Sequence, residues 1–222
     1  IRNDKTSKSW KTPNKPQLNR NLFYDYMSKI DSKSPFIQFA LDEKLLNIIA
    51  NYFGEIPRLD YAGIWMSKNP WENRNNKKSY NLSSQQFHTD GEAHKTVKLF
   101  IFLNEWTENN GPLCFYDKKK SKKIASKLGI REQIYDKDIY CDENIHRINN
   151  KNGFHMLTGK PGKTVLLDTC SCYHYGSRIN NDEKRFAFIL QYLPKHAIVK
   201  THDFSHLINP SLSKLQKLCL SN

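Results

Sequence analysis

SQQFHTDGEAHKTVKLFIFLNEWTENNGPLCFY, residues 84–116, is the stretch on which the fold turns. It opens on His88-Thr89-Asp90 at the end of a short strand-like run. Side chains of a strand alternate faces with period two, so His88 and Asp90 project to the same side, one pleat apart. An imidazole and a carboxylate placed so can reach a single ion. One further histidine would complete a two-His, one-carboxylate set, which takes one face of an octahedral ferrous ion and leaves its other positions open. The triplet alone arises often by chance, so its meaning rests on residues farther down the chain. Residues 96–103, TVKLFIFL, are nearly all apolar apart from Lys98 and read as a strand buried on both faces. Asn109-Asn110-Gly111-Pro112 is a turn, and residues 113–116 are the short strand after it.

The same β pattern resumes downstream. Gly159-Lys160-Pro161-Gly162 is a turn, TVLLD at 164–168 a strand, and Tyr173-His174-Tyr175 the start of another. Residues 180–182 make a hairpin-like turn before the long apolar strand RFAFILQYL at 185–193. Upstream, residues 1–17 are polar and carry Pro13 and Pro16, an extended lead-in. Leu22, Phe23, Tyr26, Met27 and Ile30 recur at helical spacing, which predicts a helix within 18–30. A second helix at 42–53 has the stripe Leu45, Leu46, Ile49, Ala50 and Phe53, acids in its first turn, and Gly54 then Pro57 to end it. Residues 58–66 read as a strand, and 68–78 as a loop with Trp71 a candidate anchor at a pocket rim.

Between the two β halves, residues 117–128 are a lysine-rich helix or loop, and 129–150 are polar and irregular. The insert 117–150 is either a lid over a pocket mouth or a surface excursion. A final helix is expected at 211–220. The whole reads as an α+β protein, mainly β, with flanking helices on an antiparallel sandwich or jelly roll, in one domain over 18–222. Aromatics at 12% suit such a fold.

The formal charge is +13. Attraction to nucleic acid, an anionic membrane or an anionic substrate would account for it, and so would a lysine-coated solvated surface. No arginine-rich cluster interleaved with aromatics is present, which favours the surface reading and counts against nucleic acid. Cys114, Cys141, Cys170, Cys172 and Cys219 make an odd set without regular spacing, so a disulfide framework is not expected and a reducing, cytoplasmic setting is. Cys170-x-Cys172 beside His174 suggests zinc, but no second Cys/His pair completes a four-ligand structural site. No apolar run approaches the roughly 20 residues that span a bilayer, and no signal peptide is recognisable.

His174 is the candidate third ligand, set where a strand begins after TVLLD. A lone histidine there is more often structural. Arg185, eleven residues on, changes the balance. A guanidinium opening an otherwise apolar strand needs a buried anion, and its planar fork matches a carboxylate. A dicarboxylate chelating the metal at one end would supply that anion at the other. His94, His146, His155, His196, His202 and His206 read as surface or packing residues.

The pattern His88-x-Asp90, His174, Arg185 resembles the iron(II)- and 2-oxoglutarate-dependent oxygenases. QFHTDGEAHKTVKLFIFLNEWTENNGPLCFY, GKPGKTVLLDTCSCYHYGSR and RFAFILQYLP together look like the phytanoyl-CoA dioxygenase branch, over roughly residues 40–195. The resemblance implies a double-stranded β-helix (a cupin-like jelly roll). It implies Fe(II) held by His88, Asp90 and His174, with Arg185 on the distal carboxylate of 2-oxoglutarate. Lys98 and Phe100, on one face of a strand that lines the cosubstrate pocket in that family, are implied as further contacts; for Lys98 a charge snorkelling to the rim is the alternative. The branch often carries a hydroxyl residue two positions after the distal histidine; here Gly176 stands there, with Ser177 next. Retention of Asp90 favours hydroxylation or another oxidation over halogenation. The implied reaction consumes O2 and 2-oxoglutarate, releases succinate and carbon dioxide, and oxidises an unactivated C–H bond of a small molecule. Two competitors remain: a nucleic-acid or nucleotide oxygenase using the basic surface, and a non-catalytic jelly-roll binding module.

Overall fold

The computed structural model describes residues 23–25, 31, 33–69, 83–128, 142–179, 183–199 and 202–221. The expected lead-in, Trp71 and its loop, the 129–141 part of the insert and the 180–182 turn lie outside them.

Thirteen helices and strands are described in order: β1 (Phe23–Asp25), α1 (Pro35–Ala40), α2 (Glu43–Phe53), β2 (Pro57–Lys68), β3 (Val97–Phe102), β4 (Leu113–Tyr116), α3 (Lys118–Leu128), α4 (Asp142–Asn149), β5 (Phe154–Leu157), β6 (Thr164–Asp168), β7 (His174–Tyr175), β8 (Lys184–Pro194) and α5 (Lys214–Leu220). The strands form a five-stranded sheet in the order β1-β2-β8-β3-β6 and a three-stranded sheet in the order β5-β4-β7. Every described pairing is antiparallel. The protein is therefore mainly β, with helices outside the sheets.

Strand β8 explains the layering. It is paired on both edges by β2 and β3 and buried on both faces, under the helices on one side and in the inner core on the other, and it is apolar along nearly its whole length. Phe188, Leu190 and Tyr192 point outward into a core shared with α1, α2 and α5 through Ile37, Leu46, Ile49 and Leu220. The alternate residues Ala187 and Ile189 point inward, where they meet Phe100 and Phe102 of β3, Leu167 of β6 and Leu113 of β4. Arg185 and Gln191 have the same parity, so they lie on this inner face at either end of that row. The small sheet turns its outer face, with Cys114, Tyr116 and Tyr175, to Ile124 of α3 and Ile145 of α4.

Helix α2 is capped as its sequence predicts. Leu45 N donates to Asp42 Oδ1 at 3.0 Å, and Gly54 closes the helix at φ 80°, its N–H donating to Ala50 O at 2.8 Å. Asp42→Ala removes the side-chain acceptor of that first turn, and is expected to cost about 1 kcal/mol in urea unfolding.

Two expectations fail here. Residues 23–25 are an edge strand, paired with Trp65, Met66 and Ser67, rather than part of a helix. The free backbone edge of β2 outweighs a weak helical periodicity. Residues 142–149 are a helix rather than irregular, and 118–128 takes the helical alternative; Ile124 and Ile145 show why, each buried against the small sheet with Ala125, Leu128 and Ile148 packed around them.

Candidate metal centre

His88 and His174 are opposed across a two-residue antiparallel bridge. Each donates its backbone N–H to the other's carbonyl, at 3.0 and 2.9 Å. Directly opposed residues place their side chains on one face, and the two rings lie 4.3 Å apart. Asp90 is anchored next to them by its own N–H, which donates to Thr169 O at 3.1 Å. Three residues from two distant parts of the chain are thus set by backbone bonds alone.

The side chains converge. His88 Nε2 and His174 Nε2 lie 3.8 and 3.9 Å from Asp90 Oδ1. One ligand atom from each residue falls within 4.8 Å of the others, the arrangement that can hold a metal ion. The other ring nitrogens are tied back: His88 Nδ1 to Gln86 O and His174 Nδ1 to Cys172 O, each at 2.8 Å. A carbonyl can only accept, so each Nδ1 carries the proton and each Nε2 turns a lone pair to the centre.

Charge agrees with that tautomer. Burial, then the neighbouring His88, pushes the His174 imidazole down to about 3. Burial lowers His88 as well. Both rings are neutral at ordinary pH. Burial alone would raise the Asp90 carboxyl, but the Lys98 ammonium outweighs it and holds it well below the usual carboxylate range. The donor set is two imidazole lone pairs and one carboxylate, which suits a divalent first-row metal. The thiols of Cys170 and Cys172 take no part: Cys170 Sγ donates to Ala93 O at 2.9 Å, and the Cys172 side chain is buried in the inner core.

Lys98 comes to the centre from β3, with its Nζ 2.7 Å from Asp90 Oδ2. Burial would lower this ammonium, but Asp90 and Glu92 raise it further, so it stays charged. Phe100 lies two residues on along the same inner face, packed with Ile189 and Ala187.

Arg185 is 6% exposed. Its Nη1 donates to Gly111 O at 2.5 Å, and its Nη2 to Ser177 Oγ at 2.8 Å and Ser67 Oγ at 3.2 Å. The guanidinium carbon sits 4.6 Å over the ring of Trp106, which is itself stacked on Phe102. No carboxylate pairs with it among the described residues, and its buried Nε–H has no partner. Burial lowers its pKa to about 10, so it keeps its charge. A guanidinium has five N–H donors. Three are given to neutral acceptors and two remain for an anion.

Of the residues that shape this pocket, the sequence reading names Gly111, Gly176 and Ser177 without a role toward Arg185, and Ser67 not at all. Gly176 leaves room for the guanidinium: a Cβ there would meet Arg185 Nη1 at 3.2 Å. Ser177, held at φ 62°, supplies the hydroxyl that Gly176 lacks. Gly111, at φ 69°, passes so close to residues 177–179 that a Cβ would sit 2.7 Å from Arg178 N. Ser67 arrives only through the pairing of β2 with β8, where it lies opposite Arg185. The remaining described histidines lie elsewhere: His94 packs on His196, His146 on Tyr116, His155 on Phe115 and His202 on Tyr61, and His206 is exposed.

No protein-family model matches the sequence, and no curated protein does. Among solved structures, the chain is similar to EctD from S. alaskensis with bound Fe, at TM-score 0.50 and 18% identity over 81% of this chain. The apoform of EctD aligns at TM-score 0.51 and 18% identity over 84% of this chain. The chain shares the EctD fold. It spans 59% and 61% of those two EctD chains, so the likeness is one of architecture.

Proposed function

We propose that the chain is an iron(II)- and 2-oxoglutarate-dependent oxygenase that acts on a small molecule, built on a double-stranded β-helix of the phytanoyl-CoA dioxygenase type. The observation that carries this reading is the pairing of two features: neutral imidazoles and a carboxylate converging on one point, and a buried, carboxylate-free arginine on the inner face of the same sheet. The bound Fe of EctD, on a shared fold, supports iron as the metal.

His88, Asp90 and His174 would hold the iron. When bound, it supplies the oxidising chemistry, using O2 and 2-oxoglutarate and releasing succinate and carbon dioxide. The chain's own share is placement. Gln86 O and Cys172 O fix the two ring orientations, and Thr169 O fixes the Asp90 backbone. Arg185, backed by Trp106 and the Ser67 and Ser177 hydroxyls, would take the distal carboxylate of the diacid in a fixed fork. Phe100 lies between the Lys98 and Arg185 ends of the inner face and would exclude water from the diacid's methylenes. The substrate would be oxidised at an unactivated C–H bond. Cys114, Cys170, Cys172 and Cys219 are all free, which fits a reducing compartment. No helix of the described residues is long and apolar enough to cross a membrane.

Anaerobic titration of the purified protein with Fe(II) and then 2-oxoglutarate tests the reading. A weak visible charge-transfer band is expected only when both are present. Folded protein that develops no band would overturn the proposal.

A further inference from the structure

The two oxygens of Asp90 face different partners. Oδ1 turns to the two imidazole nitrogens, while Oδ2 is held by the Lys98 ammonium at 2.7 Å. Lys98 is 17% exposed in its side chain and Asp90 10%, so the pair is largely shielded from water. A fixed cation bonded to one ligand of a candidate metal site is costly for any incoming metal. It must therefore be judged by the charge balance of the whole site.

We propose that Lys98 couples metal loading to diacid binding: a divalent ion alone binds weakly, and binds tightly only together with 2-oxoglutarate. This rests on the oxygenase reading. With both imidazoles neutral, Asp90 alone would offer the ion one negative charge. Lys98 cancels it, and the ion also meets the repulsion of the ammonium. In a poorly hydrated site such charge terms act several-fold more strongly than in water. Glu92 is also within electrostatic reach of Lys98, but among the described residues only Asp90 lies within ion-pair distance of its ammonium. Asp60, farther along the sheet, is already engaged by Arg58 and Gln191. The diacid reverses the balance. It brings two carboxylates, against which Lys98 at one end and Arg185 at the other become favourable. Coupling is reciprocal, so the metal must tighten diacid binding by the same factor.

The sign of the effect separates this proposal from simpler roles. Were Lys98 only an orienter of Asp90, its loss would weaken metal binding. Were it only a diacid contact, its loss would leave binding of the metal alone unchanged.

The test is anaerobic titration calorimetry of Fe(II) at pH 8 into wild type, Lys98→Met and Lys98→Arg, each with and without 2-oxoglutarate. Lys98→Met is expected to bind Fe(II) alone about tenfold tighter than wild type, and to lose about tenfold of the enhancement by 2-oxoglutarate, within the usual range for coupled sites. Lys98→Arg keeps the charge and should keep the coupling. Fe(II) binding in Lys98→Met that is equal to or weaker than wild type, or an unchanged enhancement, overturns the proposal. If circular dichroism shows Lys98→Met unfolded, Lys98→Gln makes the same comparison. Wild-type protein that takes up no Fe(II) even with 2-oxoglutarate sinks the oxygenase reading itself, and this inference with it.

Discussion

Asp90→Ala is expected to be the most damaging single change at the centre, in two separable ways. Metal binding should fall by more than roughly 100-fold, since losses in the shell outside the ligands already cost 10- to 100-fold. Stability without metal should also fall, by about 3 kcal/mol in urea unfolding, because the Lys98 ammonium loses its partner in a shielded site. That figure is the low end for a broken buried pair, as Lys98 keeps some exposure and Glu92 remains nearby. His174→Ala offers the contrast. It should lose the metal equally, but it strands no charge and leaves only the Cys172 carbonyl without its side-chain donor, a cost of about 1–2 kcal/mol. The double variant Asp90→Ala/Lys98→Met should recover most of the stability and none of the metal binding. If Asp90→Ala kept wild-type Fe(II) affinity, the ligand assignment would be wrong. If it kept wild-type stability, the Lys98 pair would contribute nothing to the fold.

Legibility in the sequence followed how local the cause was. Helix α2 carries its own stripe, cap and stop between Asp42 and Gly54, and β3, β4 and β6 are apolar runs bounded by turns; all are found where expected. Strand β1 is not, because what makes residues 23–25 extended is the edge of β2, some forty residues away. Strand β5 was also missed: FHML is half exposed and has no clear alternation, and it exists because β4 needs a partner. At the centre, His88 and Asp90 announce themselves by their period-two spacing, and His174 by its place after TVLLD. Arg185 stands out as a charge in an apolar strand.

The neighbours of those residues were hidden for a physical reason. Ser67 and Ser177 lie 110 positions apart, yet their hydroxyls meet at 3.0 Å. Ser177 stands out only as the hydroxyl after Gly176, and nothing near Ser67 marks it. The partner of Lys98 was hidden in the same way. Thr169 holds Asp90 through its carbonyl and Thr96 through its N–H, and so draws the carboxylate beside β3 from across the sheet. Lys98 is placed at the pocket by the family resemblance, with strand parity giving only its face, and neither tells which acid it will meet.

Arg185→Met should pull ligand binding and stability in opposite directions. Charge-assisted hydrogen bonds contribute about 1.5–3 kcal/mol each, and tenfold in affinity is about 1.4 kcal/mol. Losing a two-point contact should therefore weaken 2-oxoglutarate by at least about 100-fold. The ligand-free protein has little to lose. The guanidinium is desolvated without a carboxylate partner among the described residues, a costly state that an apolar side chain of similar length relieves. The acceptors it leaves behind keep other partners. Gly111 O still receives the Ser177 N–H at 3.0 Å, and the Ser67 and Ser177 hydroxyls still bond each other. Unfolding without ligand should thus be unchanged, or harder by about 1 kcal/mol. Arg185→Ala would differ, since it opens a cavity beside Trp106 and should cost about 2 kcal/mol. Arg185→Lys keeps the charge but cannot fork, and should bind the diacid with intermediate affinity. Calorimetry with 2-oxoglutarate and urea melts of the three variants give the full comparison. An Arg185→Met protein that unfolds would make the guanidinium a structural post, and one that binds 2-oxoglutarate like wild type would move the distal carboxylate elsewhere.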